Sequence, residues 1–256
     1  MIIKKIRDVT PREYFNTYDI LITEDQDVYT EEGELLLRFR KSVLTKTDGV
    51  FDALFTFAKN KSQDRGVASA SPIGTPTGQK NPVQSNIMGF FDNWTVAQKC
   101  VFKQFGIIPP KNRITAFTMK NPDKWKKVVP LIQEIDEMYA QLCPTYHSKQ
   151  LQQAKKTHFR IPNTSFSTVT VNLDFRTASH TDSGDYPEGF GNLVVLEQGE
   201  YTGAYTVFPE YGIAVDVRQG DFLAMNVHKL HCNTEKYGDG HRMSLVSYLR
   251  NGLSSP

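Results

Sequence analysis

Hydrophobic positions recur at two different periods along this chain, and the change falls near residue 150. Over 48–61, DGVFDALFTFAKNK, the apolar residues Val50, Phe51, Leu54, Phe55 and Ala58 fall on one side of a helix. Thr47 or Asp48 is placed to cap it. Around 121–143, Asn121 and Pro122 read as a cap and first helical position. Trp125, Val128, Val129, Ile132, Ile135, Tyr139 and Leu142 then recur mostly at steps of three and four. Pro130 is expected to kink or split this helix and Pro144 to end it. Between the two, 62–86 carries GVASASPIGTPTGQKNPVQS. It is too rich in Gly, Pro and Ser for a regular element, and long enough for a lid, a binding loop or a surface linker.

The C-terminal hundred residues follow period two. In STVTVNLDF, Val169, Val171, Leu173 and Phe175 alternate with Thr168, Thr170, Asn172 and Asp174, which is a strand. NLVVLEQ, YTVFP, IAVDV, DFLAMNV and MSLVSYL follow as further short strands, most of them separated by turn residues. Many short strands in series, uninterrupted by a helix, point to a closed or double-sheet antiparallel fold such as a jelly roll. The expected class is α+β and a single domain, 1–256. Residues 1–150 are expected to be mostly helical and to pack on a β-core over 151–256.

Composition narrows this little. A chain of 256 residues, 39% hydrophobic, is long enough for one domain with a real core. The formal charge of +2 announces no global attraction to nucleic acid and leaves room for a local basic patch. Three scattered cysteines are too few for a disulfide framework or a zinc cluster, and no disulfide-linked partner is expected. The opening MIIKKIRDVT lacks an apolar run after its basic residues, and no apolar stretch approaches the ~20 residues that cross a bilayer. A soluble intracellular protein of cytoplasm or nucleus, without a membrane partner, is the expectation.

The chemistry concentrates in HTDSGD, 180–185. In an extended segment His180 and Asp182 project to one face, presenting an imidazole and a carboxylate to one point. That is two-thirds of the 2-His-1-carboxylate triad that holds non-haem Fe(II) with open positions. The third ligand must come from His228 or His231 in DFLAMNVHKLHC. Three apart, these two face opposite sides of a regular strand, and His228 alone reads as a packed, hydrogen-bonded histidine. Arg242 and Ser244 share a face of the strand RMSLVSYL with Val246 and Tyr248. A guanidinium beside a hydroxyl suits a dicarboxylate, although Arg242 by itself would read as a surface residue. Taken jointly and in this order, an iron and oxo-acid site is the better account.

The set resembles the 2-oxoglutarate- and Fe(II)-dependent dioxygenases with a double-stranded β-helix core, whose pattern is His-x-Asp, a distal His and a late Arg-x-Ser. SNIMGFFD, RITAFT, FSTVTVNLDFRTASHTDSGD, the FPEYG turn and HCNTE further resemble the TET/JBP branch of DNA base hydroxylases, over roughly residues 60–250. The resemblance implies His180, Asp182 and His231 as metal ligands, catalytic through that metal. It implies Arg242 and Ser244 as the oxoglutarate clamp, Fe(II) and 2-oxoglutarate as cofactors with ascorbate as a candidate reductant or co-substrate, and O2 and DNA as partners. Asn172 could hydrogen-bond oxoglutarate or brace a loop. Asp185 is similar to an acidic residue that contacts a co-substrate in some relatives, and otherwise reads as a turn aspartate. His228 and Arg65 are placed on the substrate side, and Lys59, Lys61, Lys80, Lys124, Lys126 and Lys127 are further candidates to grip a strand. Two departures stand out: the cysteine-rich zinc region of animal TET proteins is missing, and Gly203-Ala204 stands where a Gly-Gly pair is expected.

The implied activity is hydroxylation of the 5-methyl group of a pyrimidine in DNA, 5-methylcytosine or thymine. Two alternatives remain: the same chemistry on a free nucleotide, small molecule or protein side chain, and a non-catalytic base-binding barrel.

Overall fold

The computed structural model describes residues 1–60 and 85–253. In chain order the elements are β1 (Ile2–Ile3), β2 (Ile20–Ile22), β3 (Gln26–Thr30), β4 (Leu35–Arg40), α1 (Val50–Lys59), β5 (Ser85–Phe91), α2 (Val96–Gln104), β6 (Arg113–Ile114), α3 (Ala116–Lys120), α4 (Pro122–Leu142) and α5 (Pro144–Ala154). Then come β7 (Thr168–Leu173), β8 (Gly191–Gln198), β9 (Thr202–Gly203), β10 (Thr206–Phe208), β11 (Ile213–Val215), β12 (Phe222–Met225), β13 (Cys232–Asn233), β14 (Lys236–Tyr237) and β15 (His241–Tyr248). One sheet runs β1-β3-β4-β12-β8-β15-β7-β5-β6 and a second runs β13-β10-β11-β2, while β14 and β9 form a separate pair. The chain passes back and forth between the sheets after residue 168, which makes the expected jelly-roll core.

Each core strand uses its two faces differently. Val169, Val171 and Leu173 of β7, Val194 and Leu196 of β8, and Met243 and Leu245 of β15 pack against Leu54 of α1 and Val128, Leu131, Ile132 and Ile135 of α4. Each fully buried aliphatic side chain of this kind contributes about 1.5–3 kcal/mol. Leu193 and Val195 of β8, Leu223 and Met225 of β12, and Phe208, Ile213 and Val215 fill the space between the sheets. The other face of β7 and β15 also turns inward, and there Thr170, Asn172, Ser244 and Val246 line a cavity. The polar positions of β7 are therefore a cavity wall, not a solvent face.

Helices α1 to α5 all begin within the first 150 residues. That part is nevertheless not mostly helical, because it also supplies β1 to β6, extending the large sheet at both ends and adding β2 to the smaller one. Several of these strands have only two or three residues, too few for periodicity to register. The expected loop 62–86 lies outside the described residues except for Ser85 and Asn86, which open β5. Helix α1 starts after Gly49, at φ 63°, with no side-chain cap from Thr47 or Asp48. Pro130 does not split α4, which runs unbroken from Pro122 to Leu142. It lies on the exposed side, where the carbonyl deprived of its partner can be hydrated. Pro144 then occupies the first turn of α5.

Buried polar anchors fix the helices to the strands that carry the site. Asp136 of α4 accepts from the amide and hydroxyl of Ser165 at 2.8 and 2.6 Å, and its other oxygen lies 3.0 Å from His147 Nε2. The Phe190 amide donates to the Tyr139 hydroxyl at 3.1 Å, tying α4 to the start of β8. The Gly203-Ala204 departure has a backbone consequence: both residues are left-handed, at φ 74° and 54°. Alanine costs roughly 1–2 kcal/mol in that region, and glycine gives part of this back as unfolded-state entropy. Ala204→Gly is expected to raise unfolding stability by up to about 1 kcal/mol in denaturant titration.

Candidate active site

The histidine and aspartate of HTDSGD reach the mouth of the barrel because residue 180 pairs with residue 231. The two backbones exchange amide hydrogen bonds of 3.0 Å in each direction, and the Asp182 amide donates to the Val227 carbonyl at 2.9 Å. This pairing continues the smaller sheet and sets the two imidazoles side by side, with ring centroids 4.3 Å apart. His180 Nε2 lies 3.6 Å from Asp182 Oδ1, and His231 Nε2 lies 3.7 Å from Asp182 Oδ2. One ligand atom from each of the three residues lies within 4.8 Å of the others.

The tautomers are set by the backbone. His180 Nδ1 donates to the Ala178 carbonyl at 2.8 Å, and His231 Nδ1 donates to the Lys229 carbonyl at 3.0 Å. Each ring then turns a lone pair on Nε2 toward the centre, the arrangement in which a second-sphere carbonyl fixes a metal-binding histidine. Burial, reinforced by His180 and opposed by Asp182, pushes the His231 imidazole down to about 4. His231 is therefore neutral at pH 7. Two imidazole lone pairs facing a carboxylate across more than hydrogen-bond distance repel one another unless a cation lies between them, and the donor set suits non-haem Fe(II).

His228 takes no part in this cluster. Strand β12 stops at Met225, so the regular strand expected through residue 232 gives way to a turn, and facing rules for strands do not govern 228 and 231. The His228 ring approaches the Tyr186 carbonyl, at 3.3 Å, and does not line the cavity on whose substrate side it was placed.

That cavity, of about 230 Å³, is walled by the triad together with Asn172, Asp185, Ser244 and Arg250. Arg242 walls an adjoining cavity of about 220 Å³, with Phe175 and Asn233 common to both. Arg242 and Ser244 do share a face of β15, as the alternation predicts, but one step of two residues moves them between neighbouring chambers. Arg242 is 6% exposed, and its Nη2 has no partner among the described residues. A buried guanidinium nitrogen without an acceptor is costly, and an entering carboxylate satisfies it. The residues present thus fit an oxo-diacid. Asp174 fixes this strand end: its Oδ1 accepts from the Arg242 amide at 2.9 Å and its Oδ2 lies 2.6 Å from His241 Nδ1.

Among the cavity residues that escaped the sequence reading, two bear on the chemistry. Arg250 donates from Nε and Nη2 to Asp92 at 3.0 and 3.3 Å, stacks over Phe91 at 4.7 Å, and holds Nη1 3.8 Å from Asp185 Oδ1. A Cβ on Gly184 would fall 1.8 Å from that Nη1, so glycine makes room for it. Arg250 shares parity with Arg242, and the alternation of β15 carried on two more residues would have found it. Thr206 is the other: its hydroxyl is buried at the cavity without a partner among the described residues, and no spacing signal marks it. Of the basic candidates, Lys61, Arg65 and Lys80 lie outside the described residues. Lys59, Lys124, Lys126 and Lys127 belong to α1 and α4 on the helical side of the large sheet, and none lines the cavity.

A double-stranded β-helix with a His-Asp-His cluster at its mouth and a buried arginine on its last strand is the architecture of an iron- and 2-oxoglutarate-dependent oxygenase. Residues 100–251 match the Tet_JBP family, the oxygenase domain of the 2OGFeDO superfamily, and the chain belongs to that family. The bifunctional helicase and thymine dioxygenase JBP2 of Trypanosoma cruzi (strain CL Brener) is 31% identical over 253 residues, 95% of this chain and 21% of that one. Thymine dioxygenase JBP1 of Trypanosoma brucei brucei is 36% identical over 176 residues, 66% of this chain and 19% of that one. The chain thus spans about a fifth of the length of these relatives. In fold it is similar to NgTET1 in complex with 5mC DNA, with a TM-score of 0.59 over 92% of this chain and 83% of that one at 14% identity. No helix among the described residues is long and apolar enough to cross a membrane.

Proposed function

We propose that this chain is an Fe(II)- and 2-oxoglutarate-dependent dioxygenase that hydroxylates the 5-methyl group of a pyrimidine in DNA, thymine or 5-methylcytosine. The observation that carries the chemistry is the convergence of His180, Asp182 and His231 near a buried Arg242 whose Nη2 has no acceptor among the described residues. The substrate class is supported by the relatives, which are thymine dioxygenases. His180, Asp182 and His231 hold the iron, while Arg242 binds the distal carboxylate of oxoglutarate and Ser244 and Asn172 bind along the same wall. When bound, iron and oxoglutarate supply the oxidising chemistry: O2 is consumed, oxoglutarate loses CO2 to give succinate, and one oxygen atom enters a methyl C–H bond. Ascorbate is the candidate reductant or co-substrate. The protein's part is to orient these groups and exclude water. Asp185 and Arg250 offer an acceptor and a donor at the cavity wall to the edge of a base. A base in a duplex must be flipped out to reach them, at a cost of a few kcal/mol.

Nucleoside mass spectrometry of DNA incubated with the protein, Fe(II), ascorbate and oxoglutarate tests this. The expected product is the 5-hydroxymethyl base with an equal amount of succinate. Free nucleosides are expected to react poorly, because they lack the backbone that positions the base. With a formal charge of only +2, duplex binding must come from a local basic patch, and log affinity should fall with log salt by about 0.9 per phosphate contacted. Productive oxoglutarate consumption with a free nucleotide or amino acid, with no oxidised base in any DNA, would keep the iron chemistry and overturn the substrate.

A further inference from the structure

The pairing of β8 with β15 sets Glu197 directly opposite Arg242. Side chains opposite one another in an antiparallel pair project to the same face, with Cβ atoms about 4.5–5.5 Å apart. An acid in that position would ordinarily pair with the buried arginine and cancel its charge. Here it does not: among the described residues no ion pair joins Glu197 to Arg242, and Arg242 Nη2 has no partner. Glu197 is committed elsewhere. Its Oε1 accepts from the Tyr201 hydroxyl in a short hydrogen bond and from Arg218 Nη1 at 3.3 Å, and its Oε2 accepts from the Gln219 amide at 3.2 Å. Arg218 is fixed in turn by Asp216 Oδ1, 2.6 Å from its Nε, and by stacking at 4.5 Å over the Tyr201 ring.

We propose that Arg218 and Tyr201 are positioning residues that hold the Glu197 carboxylate off Arg242, keeping Arg242 open to the carboxylate of an incoming oxo-diacid. This rests on the reading of Arg242 as the oxoglutarate clamp. A carboxylate supplied by the protein itself is always at high local concentration, so an untethered Glu197 would compete with oxoglutarate for one guanidinium. Saturating Glu197 with three donors removes that competitor without removing the charge that balances Arg218.

The test is calorimetric titration of oxoglutarate into anaerobic, Fe(II)-loaded protein, a binding measurement independent of turnover. Arg218→Ala is expected to weaken oxoglutarate about tenfold, as coupled neighbours do. Glu197→Gln, which keeps one acceptor oxygen but loses the charge that competes for Arg242, should bind oxoglutarate at least as well as the parent. The double variant should return to within about threefold of the parent, since the competitor is gone. Tyr201→Phe, which keeps the ring and its stack, should give a milder version of the same loss, likewise rescued by Glu197→Gln, if Arg218→Ala does not fold. Rescue by Glu197→Gln is the outcome that a merely structural role for Arg218 would not produce. The proposal is overturned if the single and double variants are equally weak, if Glu197→Gln itself weakens binding, or if neither Arg218→Ala nor Tyr201→Phe has an effect. Unchanged affinity in Arg242→Ala would instead remove the clamp reading on which it stands.

Discussion

His231→Ala is expected to abolish the visible charge-transfer band that anaerobic protein develops with Fe(II) and oxoglutarate, whereas His228→Ala should leave it intact. His231 supplies one of three converging ligand atoms, and its neutral imidazole is held with Nε2 inward by the Lys229 carbonyl. Loss of a partner that merely orients a ligand typically costs 10–100-fold in metal affinity, so loss of the ligand itself should exceed about 100-fold. His228 points instead at the Tyr186 carbonyl, and its removal costs only that contact. Absorption titration with Fe(II) separates the two variants. A band lost in His228→Ala and spared in His231→Ala would show that the wrong histidine has been assigned.

The second large effect is on the cosubstrate. Arg242→Lys keeps a cation in the chamber but loses the planar fork that takes a carboxylate through two nitrogens. Losing one charge-assisted hydrogen bond costs about 1.5–3 kcal/mol, or one to two decades in the dissociation constant for oxoglutarate. Arg242→Ala should cost more, because the chamber then loses its buried cation and every hydrogen bond that the guanidinium offers the carboxylate. Fe(II) affinity should change little in both, since Arg242 is not among the clustered metal-binding groups. Equal oxoglutarate affinity in the parent and in both variants would mean that another basic residue binds the diacid, with Arg176 and Lys236 of the same chamber or Arg250 of the adjoining cavity as the candidates.

The candidate metal pair His180 and Asp182 was legible because two residues apart in an extended segment share a face whatever the rest of the chain does. The same rule made Arg242 and Ser244 legible, and it placed Val169, Val171 and Leu173 on one buried face. The family resemblance singled out His231 over His228, and the structure shows the physical reason. Strand β12 ends before either residue, and only the cross-strand pairing of 180 with 231 decides which ring enters the site. Of the strands of the N-terminal part, β1, β2 and β6 were not legible, because pairings of two or three residues leave no period of their own. Strands β3, β4 and β5 are longer, but apolar runs such as 35–37 and 87–88 break the strict alternation. Periodicity also cannot say what a polar strand face meets. The sequence determined that Thr170 and Asn172 lie opposite the apolar face of β7, and only the closure of one sheet over another turned that face into a cavity instead of a surface. Arg250, anchored by Asp92, and Thr206 joined the site for the same reason: their proximity is a property of strand register and sheet closure, long-range terms that local spacing does not encode.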